Sequence, residues 1–158
     1  MTTSAIYPGS FDPFTNGHLD MVRKASALFG RVVIAIGINS GKKRSFDSDR
    51  MAEAIRETLQ ENGLDNCEVC VYSGLVAEFA ANNHIGYMIR GLRNTTDYNY
   101  EENIAEINKL INPTLEYVYF RAEHIGISST MVRELMTYGR DVSAYVPGPV
   151  LRAMQQTD

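Results

Sequence analysis

Residues 4–18 read Ser4-Ala-Ile-Tyr-Pro-Gly-Ser-Phe-Asp-Pro-Phe-Thr-Asn-Gly-His18. Ser4–Tyr7 has the apolar character of a short strand. Gly17–Phe29 has the period of a helix, with Leu19, Val22 and Leu28 among its apolar positions and Gly30 as its stop. The loop between them is built for close approach. Gly9 lets the backbone turn sharply or come near a ligand, Ser10 offers a hydroxyl and an N–H, and Pro13 fixes the loop. Asp12, before Pro13, reads as a turn residue. Gly17 and His18 stand where a helix exposes unbonded N–H groups that attract anions. The positive end of the helix dipole also disfavours a charged imidazole at this place.

The same strand–loop–helix unit recurs outward from this stretch. Val32–Ile38 is a nearly continuous β-branched run, the signature of a strand covered on both faces. Asp47 or Ser48 can cap a helix to about Asn62, with Met51, Ala54, Ile55 and Leu59 on one face and Gly63 at its end. Strands follow at Glu68–Tyr72, Tyr87–Arg90 and Leu115–Phe120. Helices follow at Val76–Asn82, from a cap at Asp97 to Ile111, over Ser128–Tyr138 and over Val150–Gln155. Tyr100, Ile104 and Asn108 share a stripe of the Asp97–Ile111 helix and are expected to pack in the core. Alternation of this kind predicts an α/β fold: one doubly wound domain over residues 1–158, with a five-stranded parallel sheet and right-handed crossovers.

Composition narrows the function classes. The chain has 158 residues, 44% of them hydrophobic and 22% charged, with a formal net charge of -4. That balance suits a globular domain and argues against a nucleic-acid partner. No apolar run is long enough to span a bilayer, and the first residues resemble no signal peptide, so a cytoplasmic location without a membrane partner is expected. Cys67 and Cys70 have Cys-x-x-Cys spacing, but in a strand they point to opposite faces and no further ligands lie near. Half-buried free thiols are the expected reading.

Parallel sheets bind ligands at the carboxyl ends of their strands. The segments that follow the five expected strands hold Lys42, Lys43, Arg44, Arg90, Arg93, Arg121 and nearby Arg133, seven of the 15 Lys and Arg residues. An acidic chain with its positive charge gathered on one rim is expected to bind phosphates there. Individually these residues keep plain alternatives. Lys42 and Lys43 read as ligands or as a solvated loop, Arg90 as a ligand or as half of an ion pair. Glu101 could be a surface charge and Val76 a core residue. Gly37-Ile-Asn-Ser-Gly-Lys-Lys43 is not a P-loop: it has three residues between its glycines instead of four, and Lys43 where Ser or Thr is needed.

Thr15-Asn-Gly-His18 resembles the T/H-x-G-H motif of the nucleotidyltransferase superfamily, and Ile127-Ser-Ser-Thr-Met-Val-Arg133 resembles its second motif. Tyr7–His18, Lys42-Lys43, Ile89-Arg-Gly-Leu-Arg93 and Asp97-Tyr-Asn-Tyr-Glu101 extend the likeness, over nearly the whole chain, to the bacterial phosphopantetheine adenylyltransferases. That resemblance implies a Rossmann-like domain that converts ATP and 4′-phosphopantetheine to dephospho-coenzyme A and pyrophosphate. It implies that Ser10, Lys42, Val76 and Arg90 contact phosphopantetheine. It implies ATP contacts from Ser10, Phe11, His18, Gly91, Leu92, Arg93, Glu101, His124, Ile125, Gly126, Ile127, Ser128, Ser129 and Thr130, with His18 stabilising the transition state. Magnesium carried with ATP, a homohexamer and coenzyme A as a feedback inhibitor are implied as well. Serine at 10, where threonine is frequent, keeps the hydroxyl; His124 and Gly126 stand where bulkier aromatic sequence is expected. The chemistry is self-consistent, because a substrate phosphate is already anionic and its attack on the α-phosphate needs no general base. Other readings are a nicotinic acid mononucleotide adenylyltransferase, which usually carries histidine at the position of Thr15, and a non-catalytic nucleotide-binding regulator, which would not require His18.

Overall fold

β-Branched and apolar residues make the strands, and their alternation sorts the core into two layers. The computed structural model describes residues 3–38, 41, 43–122 and 126–156. Along the chain lie β1 (Ser4–Gly9), α1 (Asn16–Leu28), β2 (Arg31–Ile38), α2 (Ser48–Glu61), β3 (Cys67–Ser73) and α3 (Val76–Asn82). They are followed by β4 (Tyr87–Leu92), α4 (Thr95–Ile111), β5 (Glu116–Arg121), α5 (Ser129–Thr137) and α6 (Gly148–Gln155). The strands form one five-stranded sheet in the order β3-β2-β1-β4-β5, and every pairing is parallel. This is the doubly wound α/β sheet expected from the sequence.

Successive side chains of a strand face opposite ways. Ala5 and Tyr7 of β1, with Val32, Ile34 and Ile36 of β2, pack under α1, α2, α5 and α6. Ile6, Val33, Ala35 and Met88 pack in the second layer with Ala77 and Ala80 of α3. Cys67 and Cys70 obey the same rule: they are free thiols, Cys67 against the first layer and Cys70 against the second.

Strand order reverses between β1 and β4, which is where a doubly wound sheet opens a crevice. β1 follows β2 in register from Ser4↔Arg31 to Gly9↔Ile36. Its pairing with β4 covers only Ala5↔Tyr87 and Ile6↔Met88. The two strands therefore part at their carboxyl ends. Both also run further than the sequence alone indicates, β1 to Gly9 and β4 to Leu92, so Gly9 and Gly91 belong to strand ends that border the crevice.

Two expectations about α4 are corrected. Its N-cap is Asn94, whose side chain accepts the N–H of Asp97 at 2.8 Å; Asp97 sits in the first turn and pairs with Arg93. Tyr100 does not pack in the core: it is 64% exposed, whereas Asn108 is buried. The helix starts three residues earlier than expected, and its buried stripe runs through Glu101, Ala105 and Asn108; Tyr100 stands about 100° round the axis from Glu101, off that stripe.

Candidate active site

The cleft at the β1/β4 switch has a volume of about 360 Å³. Tyr7 to Phe11, Arg90, Gly91 and Arg93 line one side, the start of α1 another, and Ile127, Ser128 and Ser129 the third. Two segments that lie more than a hundred residues apart in sequence thus meet across one hollow. Lys42, His124 and Ile125 lie outside the described residues.

His18 is held by the helix it opens. Thr15 is the N-cap of α1; its hydroxyl accepts the His18 N–H at 3.3 Å, and the His18 Nδ1 accepts the Thr15 N–H at 2.9 Å. This is a capping box in which histidine takes the place of the usual Glu or Gln. A ring nitrogen that accepts from a backbone N–H carries no proton in the neutral imidazole, so the proton is on Nε2. The Thr15 N–H thereby makes the ring a donor through its other nitrogen. Phe11, Phe14 and Tyr7 surround it, with ring centroids 4.9, 5.5 and 6.3 Å away. Burial among these rings, and then the Arg90 guanidinium, lower the His18 pKa from 6.5 to about 4. At neutral pH His18 is an uncharged, oriented hydrogen-bond donor at the cleft.

Gly9 permits this packing: a Cβ there would lie 3.1 Å from the Phe11 ring. Phe11 itself is buried, so its ring supports His18, and its backbone is the part that borders the cleft.

Arg90 leaves β4 toward α4. Its Nε and Nη2 donate to the two oxygens of Glu101 at 3.0 and 2.9 Å, and its Nη1 donates to the Pro8 carbonyl at 2.9 Å. Burial opposes its charge, but the hydrogen bond and negative charge of Glu101 outweigh that and raise its pKa. Glu101 is buried behind Arg90 and does not line the cleft; it fixes the guanidinium at the rim.

The start of α5 supplies the facing wall. Ser128 caps the helix by accepting the Met131 N–H at 3.0 Å, and the Ser129 hydroxyl donates to the Pro13 carbonyl at 2.7 Å. The Ser129 O–H is thus spent on Pro13, whereas the Ser128 hydroxyl is used only as an acceptor and keeps its O–H; that O–H and the first-turn backbone N–H groups are the donors suited to an anion. Thr130 and Gly126 are exposed nearby, outside the lining, and Leu92 is part-buried at the end of β4.

Ser10 also borders a second hollow, of about 560 Å³, lined by Gly9, Gly37, Ile38, Tyr72, Ser73 and Gly74. A Cβ at Gly37 would lie 3.1 Å from the Tyr72 hydroxyl, a tight contact that the glycine relieves. Val76 is the first residue of α3 and packs against the second core layer, outside this hollow. A larger groove of about 1000 Å³ runs along α2, β3 and α6. It lies at the sheet edge, and its Arg56–Glu53 and Arg152–Glu57 pairs neutralise one another.

Sequence reading missed three features of the cleft. Tyr7 lines it from the end of β1. Asp20, Met21 and Lys24 line it as the α1 stripe that continues from Gly17, a helical spacing that could have been followed. The rim cations, finally, are not all available. Arg44 turns inward onto the carbonyls of Ser10 and Phe11, and Arg133 onto that of Asp12.

The cytidylyltransferase-like family profile matches residues 6–135. A phosphopantetheine adenylyltransferase of Cytophaga hutchinsonii is 45% identical over 149 residues, 93% of this chain and 98% of that protein. The chain belongs to the phosphopantetheine adenylyltransferase family. It is a nucleotidyltransferase with the family's α/β architecture. A solved structure described as a nicotinate-nucleotide adenylyltransferase from Vibrio parahaemolyticus superposes with a TM-score of 0.72 at 18% identity, covering 98% of this chain and 92% of that one. It shares the Rossmann-like fold.

Proposed function

We propose that this protein transfers the adenylyl group of ATP to 4′-phosphopantetheine, giving dephospho-coenzyme A and pyrophosphate in coenzyme A biosynthesis. The observation that carries the reading is the Thr15 N–H to His18 Nδ1 bond. It turns a neutral Nε2–H donor toward a cleft bordered by a helix N-terminus and a cation. That is the equipment for aligning two polyanions and stabilising charge on a transferred phosphoryl group. An oxygen of the acceptor phosphate attacks the α-phosphorus of ATP, the α–β bridging oxygen leaves with pyrophosphate, and no proton need be removed first. His18 donates to the α-phosphate as charge shifts. Arg90, held by Glu101, and Lys42 receive the acceptor phosphate, and Ser10 stands between donor and acceptor.

The start of α5, Ser128 to Thr130, receives the β- and γ-phosphates through backbone N–H groups. Gly91 and Leu92 at the end of β4, Arg93 after it, Phe11, Gly126 and Ile127 would contact the nucleotide, and family likeness adds His124 and Ile125 to that set. Family likeness assigns Val76 to the pantetheine arm, although its side chain packs against the second core layer. Among the described residues, no cluster of His, Cys, Asp or Glu is gathered for a cation, and Asp20 is the carboxylate of the lining, paired with Arg23. Magnesium would arrive with the triphosphate and offset phosphate charge.

No helix among the described residues is long and apolar enough to cross a membrane. We place the activity in the cytoplasm, in keeping with the free thiols. Family likeness supports a homohexamer and coenzyme A as a feedback inhibitor; coenzyme A would fit as an end product carrying the same pantetheine arm. Incubation with ATP, magnesium and either 4′-phosphopantetheine or nicotinic acid mononucleotide decides the acceptor. Pyrophosphate should appear with the first alone, and release only with the second would overturn the assignment.

A further inference from the structure

The carbonyls of Ser10, Phe11, Asp12 and Pro13 each meet a side-chain donor from a distant part of the chain. Arg44 Nη1 donates to Ser10 O at 2.5 Å and Nη2 to Phe11 O at 3.3 Å, while its Nε donates to Phe46 O at 2.9 Å. From the other side, Arg133 Nη1 donates to Asp12 O at 2.5 Å and the Ser129 hydroxyl to Pro13 O at 2.7 Å. The Asp12 side chain answers in the opposite sense. Its Oδ2 accepts the Ser45 N–H at 2.8 Å and its Oδ1 the Phe46 N–H at 2.9 Å, with Arg44 Nη2 3.7 Å from Oδ1. Both side chains are largely withdrawn from solvent, at 16% exposure for Arg44 and 10% for Asp12.

This reciprocal clasp has a directional consequence. In a trans peptide the C=O and the following N–H point opposite ways. Drawing the Ser10 and Phe11 carbonyls onto Arg44 therefore turns the N–H groups of Phe11 and Asp12 away from it. Phe11 lies between them at φ 45, a conformation that a non-glycine residue keeps only when its surroundings over-determine it. Arg44, Asp12 and the ring packing of Phe11 against His18 supply that determination.

We propose that Asp12 and Arg44 are positioning residues for adenylyl transfer. They lock the loop Ser10–Pro13, which carries the nucleotide contacts and braces His18, to the segment that directly follows Lys42 on the acceptor side. One clasp thus sets donor and acceptor segments at a fixed separation. The inference rests on the adenylyl-transfer reading.

Two variants test it. Asp12→Asn places an amide NH₂ against one of two backbone N–H groups. Arg44→Lys keeps the charge, but one ammonium cannot serve the carbonyls of residues 10, 11 and 46 together. Steady-state pyrophosphate release from ATP and 4′-phosphopantetheine is measured for the wild type, each variant and the double variant, with folding at the assay temperature checked by circular dichroism. Misalignment predicts kcat lower by about 10–100-fold in each single variant. KM for each substrate should stay within about threefold, since ground-state contacts persist. The double variant should lose little more than the worse single one, because the two residues act as a unit. Wild-type kcat in a folded variant, a loss confined to the KM of one substrate, or fully additive losses would each overturn the role. Should Asp12→Asn fail to fold, the milder Arg44→Lys decides alone. A wild type that releases no pyrophosphate would instead sink the adenylyl-transfer reading, a failure recognisable before any variant is compared.

Discussion

At the residue scale, His18 is the side chain whose chemistry is set most completely by its surroundings. Its place at the start of a helix is legible in Thr15-Asn-Gly-His18, but its tautomer is not, because that depends on a 2.9 Å bond from the Thr15 N–H. Removing the ring by His18→Ala should lower turnover by about 10²–10³, the loss expected for one preorganised donor. ATP affinity by calorimetry should change little; near-normal turnover would remove His18 from the mechanism. The same environment predicts a pH effect on stability. The folded-state pKa of about 4 lies below the ordinary 6.5, so between these values the unfolded chain binds more protons than the native one. The neutral ring's contribution is full above about pH 6.5 and fades as pH falls toward 4. Urea denaturation of the wild type and His18→Gln, which cannot titrate, should show the wild type losing stability faster across that window. Parallel curves would contradict the lowered pKa. Asp12 shows the limit of reading one residue at a time. Beside Pro13 it looks like a turn former, yet its partners are backbone N–H groups at 45 and 46, and no local pattern announces a contact that spans more than thirty residues. Arg44 misleads for the same reason: it counts as a rim cation in the sequence and is spent on loop carbonyls in the fold.

At the scale of elements, the order of strands and helices was legible because each signal is local. β-Branched runs such as Val32–Ile36 and the apolar face of Met51, Ala54, Ile55 and Leu59 identify their elements without any tertiary knowledge. The start of α4 was not, because Asn94-Thr-Thr-Asp97 offers several residues that can cap, and the choice turns on which backbone N–H is reached. The observed Asn94 cap predicts that Asn94→Ala costs about 1 kcal/mol in urea unfolding. Asp97→Asn removes an exposed pair with Arg93 and should cost less, about 0.5 kcal/mol. A reversed ranking would restore Asp97 as the cap. The distinction matters for the site because α4 delivers Glu101 to Arg90, and a frayed first turn would loosen that anchor.

At the scale of the whole molecule, the parallel sheet, its reversal between β1 and β4 and the meeting of both motifs at one crevice follow from general rules of α/β folds. What those rules leave open is the outer surface. α4 buries Glu101, Ala105 and Asn108 and turns Tyr100, Ile107 and Leu110 outward, at 64%, 58% and 84% exposure. The first two lie seven residues apart and Leu110 one turn beyond, so they form a band along the helix. Covering large apolar side chains is worth roughly 1.5–3 kcal/mol each, so this face is where the proposed homohexamer would gain most. Replacing Ile107 and Leu110 by Glu adds charge to that band without touching the cleft lining or the buried stripe. Sedimentation velocity should then show the wild type as an assembly several times the 17.7 kDa chain and the double variant shifted to smaller species. Circular dichroism should be unchanged. Because the opposite face of the same helix holds Arg90 through Glu101, dissociation should also raise the KM for 4′-phosphopantetheine more than that for ATP. A wild type that sediments as a monomer would refute the assembly, and a double variant that stays assembled would move the interface off α4.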